Sequence, residues 1–154
     1  MKMPCPLCQA GHLEAKHEAI PVRIGENRFA LSDPVNFFAC DNCKETIFLG
    51  QESKKADISA AKRILNDTIL AKWEMNGEDV AFLRAVVVLS AKDLSLSLNL
   101  DPSAVSQWEK RNTVLSFPVS LAVSLLFLKM LLPDQMDFKN EVAEILEKAF
   151  PKIA

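Results

Sequence analysis

Leu89-Ser90-Ala91-Lys92-Asp93-Leu94-Ser95-Leu96-Ser97-Leu98-Asn99-Leu100-Asp101-Pro102-Ser103-Ala104-Val105-Ser106-Gln107-Trp108-Glu109-Lys110-Arg111 is the stretch on which the fold of this 154-residue chain turns. Leucine stands at every second position from Leu94 to Leu100. Taken alone, that alternation reads as a half-buried strand. The punctuation around it says otherwise. Ser90 is an N-cap with Asp93 three residues on. Asn99 tolerates the left-handed conformation that ends a helix. Asp101-Pro102 then opens a second helix in cap-then-proline order, and Ala104, Val105, Trp108 and Glu109 continue it. Two short helices joined by a tight turn make a helix-turn-helix.

The surrounding sequence is helical too. From Ser53, a plausible N-cap, to Trp73, the residues Ile58, Ala61, Leu65, Ile69 and Lys72-Trp73 share one face. Asn76-Gly77 breaks that pattern and marks the expected domain boundary. Either residue can cap the next helix, with Asp79 in its first turn and Val80, Leu83, Val86 and Val87 facing inward. Downstream, Phe117 to Leu132 is the most apolar stretch, but Pro118, Ser120, Ser124 and Lys129 interrupt it. It is too short for a membrane span and reads as a buried helix. Leu121, Leu125, Leu128 and Leu132 make one apolar face; Val119, Val123, Leu126 and Met130 make a second. A helix apolar on two faces is buried or shared with a second copy, so a homodimer is expected. Phe138, Val142, Ile145, Leu146 and Ala149 predict a last amphipathic helix covering that surface. Its acidic residues Asp134, Asp137, Glu141, Glu144 and Glu147 form a solvated face.

The front of the chain has a different grammar. Cys5-Pro-Leu-Cys8 and Cys40-Asp-Asn-Cys43 contain all four cysteines. Each pair can wrap two thiolates around one face of a tetrahedral cation, and two such knuckles close a four-sulfur zinc site. The two-residue gap lets backbone N–H groups turn toward the sulfurs. Pro4 and Pro6 stiffen the first knuckle, and Gly11 frees the turn after it. Disulfides are the competing reading. Met1-Lys2-Met3-Pro4 lacks the apolar run of a secretory signal, which points to a reducing, cytoplasmic setting. A thioredoxin-like redox motif is the third, and it needs one pair beside a βαβ pattern. Structural Zn2+ on Cys5, Cys8, Cys40 and Cys43 is the expectation. His12 and His17 read as surface or packing residues, since four thiolates already close the site. Ile20–Ile24 alternates as a strand, Gly25-Glu26-Asn27 turns, Arg28–Leu31 returns, and Phe37-Phe38-Ala39 leads into the second knuckle. So small a core draws much of its folding energy from metal.

About half the residues are apolar and a quarter charged, the balance of a globular chain; the formal net charge is −2. A nucleic-acid binder of this charge must concentrate its basic groups locally. No His/Asp/Ser constellation, paired-carboxylate motif or phosphate loop is present, and a four-thiolate metal leaves no position open for water. An enzyme is not expected.

Leu89 to Arg111 is similar, almost position by position, to the Xre/Cro-type helix-turn-helix. Leu94, Leu98, Leu100, Val105 and Trp108 fall at that family's core positions, and Val-Ser-Gln-Trp-Glu-Lys is the most specific part of the match. The Cys-Pro-x-Cys knuckle, the Ile20-Pro21 strand start, the Gly25 turn and the second knuckle resemble the YgiT-type zinc finger. Both parts in this order resemble an MqsA-type antitoxin, over roughly Met1 to Leu132. The resemblance implies structural zinc on the four cysteines and an RNase toxin bound by the N-terminal domain. It also implies a C-terminal domain that dimerises and represses its own operon by reading a palindrome. Five positions depart from the family pattern. Ser103 and Gln107 stand where it has Asn and Arg. Ala91 replaces a phosphate-contacting Gln. Asn99 and Arg111 replace glycines.

These readings predict an α+β chain: a small zinc-ribbon-like β domain (1–52), a connector helix and hinge (53–76), an all-α helix-turn-helix domain (77–132) and a helical extension (133–154). The expected function is a DNA-binding transcriptional regulator, in its antitoxin form with a toxin partner. Gln107 would bond an adenine edge, with Ser103 and Ser106 reaching bases or phosphates. Ser90, Lys92, Lys110, Arg111 and Asn112 would make positioning contacts to the backbone of a palindromic duplex. The alternative is a protein-interaction adaptor whose zinc module docks a partner and whose helix-turn-helix only dimerises. No membrane association is expected.

Overall fold

The computed structural model describes residues 2–26, 28–132 and 134–151. Within them the chain runs β1 (Met3–Pro4), β2 (His12–Glu18), β3 (Pro21–Ile24), β4 (Arg28–Leu31), β5 (Val35–Cys40), β6 (Thr46–Phe48), then α1 (Glu52–Leu70), α2 (Gly77–Val87), α3 (Ala91–Ser97), α4 (Ala104–Arg111), α5 (Phe117–Leu131) and α6 (Gln135–Ala149). It is an α+β fold with the strands first. The expected Gly25-Glu26-Asn27 turn includes Asn27, which lies outside the described residues; Gly25 itself has a positive φ of 66°.

Strands β1, β2, β5 and β6 make one antiparallel sheet in that order, and β3 pairs with β4. Register runs from Leu13 opposite Cys40 to Glu18 opposite Val35. Antiparallel pairing sets the start of β2 beside the end of β5. The β1–β2 turn therefore lies next to the β5–β6 turn, and each turn carries one Cys pair.

The chain forms two compact units, Met1–Val22 with Phe29–Ala60, and Arg23–Arg28 with Ala61–Ala154. The division falls inside α1, upstream of the Asn76-Gly77 break. The first turns of α1 belong to the sheet unit for a polar reason. Asn36 N–H donates to Glu52 Oε2 at 2.8 Å, and Asp33 N–H donates to Ser59 Oγ at 2.9 Å. The left-handed Gly50 (φ 58°) makes the entry turn, so the helix begins at Glu52. Ser53 thus lies inside the first turn and is not the cap.

The helical unit packs around Leu65, Ile69, Met75, Val80, Leu83, Leu94, Val105, Leu115, Val123, Phe127 and Leu128, all buried. Asn76 caps α2 in a reciprocal box with Asp79. The buried Asp79 also meets Arg28 in an ion pair. The buried stripe of α5 is Ser120, Val123, Ser124, Phe127 and Leu128, which is neither of the two faces expected. Two serines sit in that stripe because their hydroxyls are satisfied within the unit. Ser120 Oγ accepts Met75 N–H at 2.9 Å, and Ser124 Oγ donates to Ser120 O at 2.7 Å. Helix α6 buries Ile145 and Ala149, with Phe138 packed against the same core. Among the described residues no helix is long and apolar enough to cross a membrane.

Candidate functional site

The two Cys knuckles are built alike. Gln9 N–H donates to Cys5 O at 3.0 Å, and Lys44 N–H donates to Cys40 O at 3.2 Å. Gln9 (φ 56°) and Lys44 (φ 63°) both take the left-handed conformation that closes the turn. The N–H groups of Asn42 and Cys43 point at Cys40 Sγ, each at 3.4 Å, and the Asn42 amide reaches Cys8 Sγ at 3.7 Å. His12 N–H donates to Asp41 Oδ1 at 2.7 Å and Asp41 N–H to His12 O at 3.0 Å, which zips the two turns together. Gly11 is required by space. A Cβ there would lie 2.5 Å from Cys40 Sγ and 2.6 Å from Asn42 Cβ.

The result is a cluster of Cys5, Cys8, Cys40 and Cys43 whose sulfurs all lie within 4.8 Å of one another. The Cys8–Cys40 sulfurs are 3.6 Å apart and the Cys5–Cys43 sulfurs 3.9 Å apart. A tetrahedron with metal–sulfur bonds of about 2.3 Å has edges of about 3.8 Å. The four cysteines can therefore hold a metal ion, and these two sulfur–sulfur distances are close to such an edge. Neither His12 nor His17 belongs to the cluster; His17 Nδ1 is 3.0 Å from Asn36 Oδ1. Protonation tells the same story. The Ala10 N–H and the Asn42 amide bring the Cys8 thiol down to about 6. At Cys43 the Glu45 N–H favours the thiolate, yet burial and the neighbouring sulfurs outweigh it and push the thiol up to about 12. Cys8 thus ionises easily and Cys43 resists, and a cation at the centre would favour the thiolate at both.

The second constellation is the α3–α4 pair. Ser90 caps α3, accepting Asp93 N–H at 3.0 Å. Asn99 takes the left-handed conformation expected of it (φ 57°). Leu94 and Val105 are fully buried, and Leu98 and Trp108 pack against the core. Leu100 departs from expectation: the reversal at Asn99 carries it past the core, and it is 38% exposed. The start of α4 also differs. Asp101 Oδ1 accepts Ser103 N–H at 2.9 Å, and Ala104 N–H donates to Asp101 O at 2.9 Å. Those bonds make a turn, so Pro102 precedes the helix and Ala104 starts it. The hydroxyl of Ser95 on α3 takes over as cap, accepting Val105 N–H at 3.1 Å.

Arg84 fastens this pair to α2. Its guanidinium meets Glu109 through two bonds of 2.6 and 2.9 Å and donates to Leu89 O at 2.7 Å. Gly77, at the start of α2, lies so close to α4 that a Cβ would collide with the Trp108 carbonyl. No local sequence signal announces Arg84, whose carboxylate partner lies on a different helix.

Of the site residues expected on this pair, Ser90, Lys92, Ser103, Ser106, Gln107, Lys110, Arg111 and Asn112 are all exposed. Ser103, Ser106, Gln107, Lys110 and Arg111 belong to the second helix or its cap. Asn112 is partly committed elsewhere. It ends α4 in the left-handed conformation, and its Oδ1 accepts Glu78 N–H at 3.1 Å. Asp93 and Asp101 are exposed on the same pair. The sequence presents Asp101 as a helix cap alone; its carboxylate also takes the Ser103 hydroxyl at 2.5 Å. No protein-family model matches the chain, and no curated protein matches it either.

Proposed function

We propose that this chain is a zinc-containing, DNA-binding transcriptional regulator. The observation that carries the proposal is the division of α4. Val105 is buried in the core, whereas Ser103, Ser106, Gln107, Lys110 and Arg111 face solvent. A short helix anchored by its apolar side and presenting hydroxyls, an amide and cations suits a major groove. Gln107 reads a base edge. Lys92, Lys110 and Arg111 contact phosphates. Two copies of the chain place two such helices one DNA turn apart, so the operator is a palindrome. Four thiolates in a closed tetrahedron suit Zn2+, which holds the sheet unit together and has no open position for catalysis. Free thiols of this kind belong to a reducing cytoplasm. The resemblance to MqsA-type antitoxins extends the reading to autorepression and to a toxin held by the N-terminal unit.

A second reading, an adaptor whose helix pair only dimerises, is favoured by one observation: Asp93 and Asp101 offset the cations of the same surface. A gel shift separates the two. Full-length, zinc-loaded protein is titrated against the duplex upstream of its own gene across a salt series. The regulator retards that duplex in preference to a scrambled one, and log affinity falls linearly with log salt. No retardation at low salt leaves the adaptor.

A further inference from the structure

On the DNA-binding reading, which this inference rests on, we propose that Asp101 and Ser103 are positioning residues for specificity: together they hold the Gln107 amide in one orientation, so that α4 selects adenine. The geometry is a three-member relay. Ser103 Oγ lies 2.5 Å from Asp101 Oδ1, and Gln107 Nε2 lies 3.0 Å from Ser103 Oγ. Proton bookkeeping fixes its direction. An ionised carboxylate only accepts, and the Ser103 hydroxyl and N–H hold the Asp101 carboxyl below the usual aspartate range. The single hydroxyl proton of Ser103 therefore goes to Asp101. The hydroxyl has only lone pairs left to offer Gln107, so the amide must turn its N–H2 group toward it.

One N–H of Gln107 is then committed to Ser103. The carbonyl oxygen and the second N–H remain on the outer edge of the amide, in a fixed order. In the major groove adenine presents an N7 acceptor beside an N6–H2 donor, whereas guanine presents two acceptors, N7 and O6. An outward donor–acceptor pair fits the first and sets oxygen against oxygen on the second. If the hydroxyl proton were free, it could donate to Gln107 Oε1 instead. The amide would flip, and donor and acceptor would exchange places along the groove. Asp101 forbids that flip.

The test uses the full-length, metal-loaded chain and a fluorescent duplex library with a randomised core. Enriched duplexes are then remade with each of the four base pairs at the position that loses its preference in Gln107→Ala. Wild type prefers adenine there by about tenfold or more, as a good bidentate contact implies. Ser103→Ala leaves the Asp101 bond to the Ser103 N–H, hence the start of α4, intact. It is expected to shrink the preference to about threefold or less. Ser103→Thr, which keeps the hydroxyl, restores it. Adding Ser103→Ala to Gln107→Ala changes nothing further, because the effect passes through the amide. A full preference in Ser103→Ala, or a preference for another base, overturns the inference and leaves DNA binding standing. A library with no enrichment overturns the DNA-binding reading, and the inference with it.

Discussion

The sheet unit and the helical unit are ordered by different physics. In the sheet unit, Val22, Val35 and Phe37 are the large apolar side chains that are buried, beside Cys5 and Cys40. Strand β2 is almost wholly polar and leaves most of its residues exposed. In the helical unit a continuous cluster runs from Ala61 to Ala149 through every helix of that unit. Apolar burial stabilises by about 25 cal/mol per Å², and few residues of the sheet unit contribute much of it. Backbone ladders and bonds to sulfur contribute the rest. Compactness can thus rest on strand pairing around a cysteine cluster able to hold a metal ion in one region and on hydrophobic packing in another.

Metal removal has the largest expected effect and breaks this comparison most directly. Stripping the ion with a strong chelator, or replacing Cys40 by Ser, takes away a binding free energy of order 10 kcal/mol in small zinc modules. The amide resonances of residues 2–22 and 29–48 are expected to collapse toward unfolded positions. Those of α2 to α5 stay dispersed, and most of the helical circular dichroism survives. Loss of both sets together would show that packing and coordination are not separable here.

Gly77→Ala probes the other side at smaller size. Helix propensity alone predicts a gain of about 1 kcal/mol for alanine over glycine. Packing predicts the reverse, because the added Cβ meets the Trp108 carbonyl and the Glu109 backbone. A loss of about 1–3 kcal/mol in urea unfolding of the helical unit is expected, with metal content unchanged. A stabilised variant would mean that α2 and α4 are not as close as described.

The same contrast explains what could be read in advance. The Cys spacing and the two short helices α3 and α4 were legible because each is a local rule: two-residue gaps, a Ser cap three residues before Asp93, a left-handed Asn99. Strand β2 was not, since His12-Leu-Glu-Ala-Lys-His-Glu has helix-forming composition and no alternation of burial; pairing with β5 decides it. The buried stripe of α5 was hidden because Ser120 and Ser124 look polar in sequence. Their hydroxyl partners, Met75 N–H and a backbone carbonyl, appear only in three dimensions. Arg84, paired with Glu109 on another helix, failed to show for the same reason. At the cysteine cluster the four thiols were legible and their supports were only partly so. Gly11 was expected to free a turn, and its actual constraint is its closeness to Cys40 Sγ.

Glu52 gives the smallest and most local effect, and it sharpens the account of the sheet unit without touching a thiol. Its carboxylate accepts Lys55 Nζ at 2.5 Å and Asn36 N–H at 2.8 Å. The lysine first, then the backbone donor, hold it below the ordinary glutamate value. The folded state therefore favours the ionised form. That contribution is complete above the unfolded glutamate value and drains as pH falls through the lower, folded one. The Asn36 amide resonance should titrate in that acid window. Acid also releases metal from thiolates, so the comparison with Glu52→Gln isolates the carboxylate. The variant loses the Asn36 titration and keeps the metal-linked transition. An Asn36 amide that titrates identically in both proteins would place the start of α1 elsewhere than against β5.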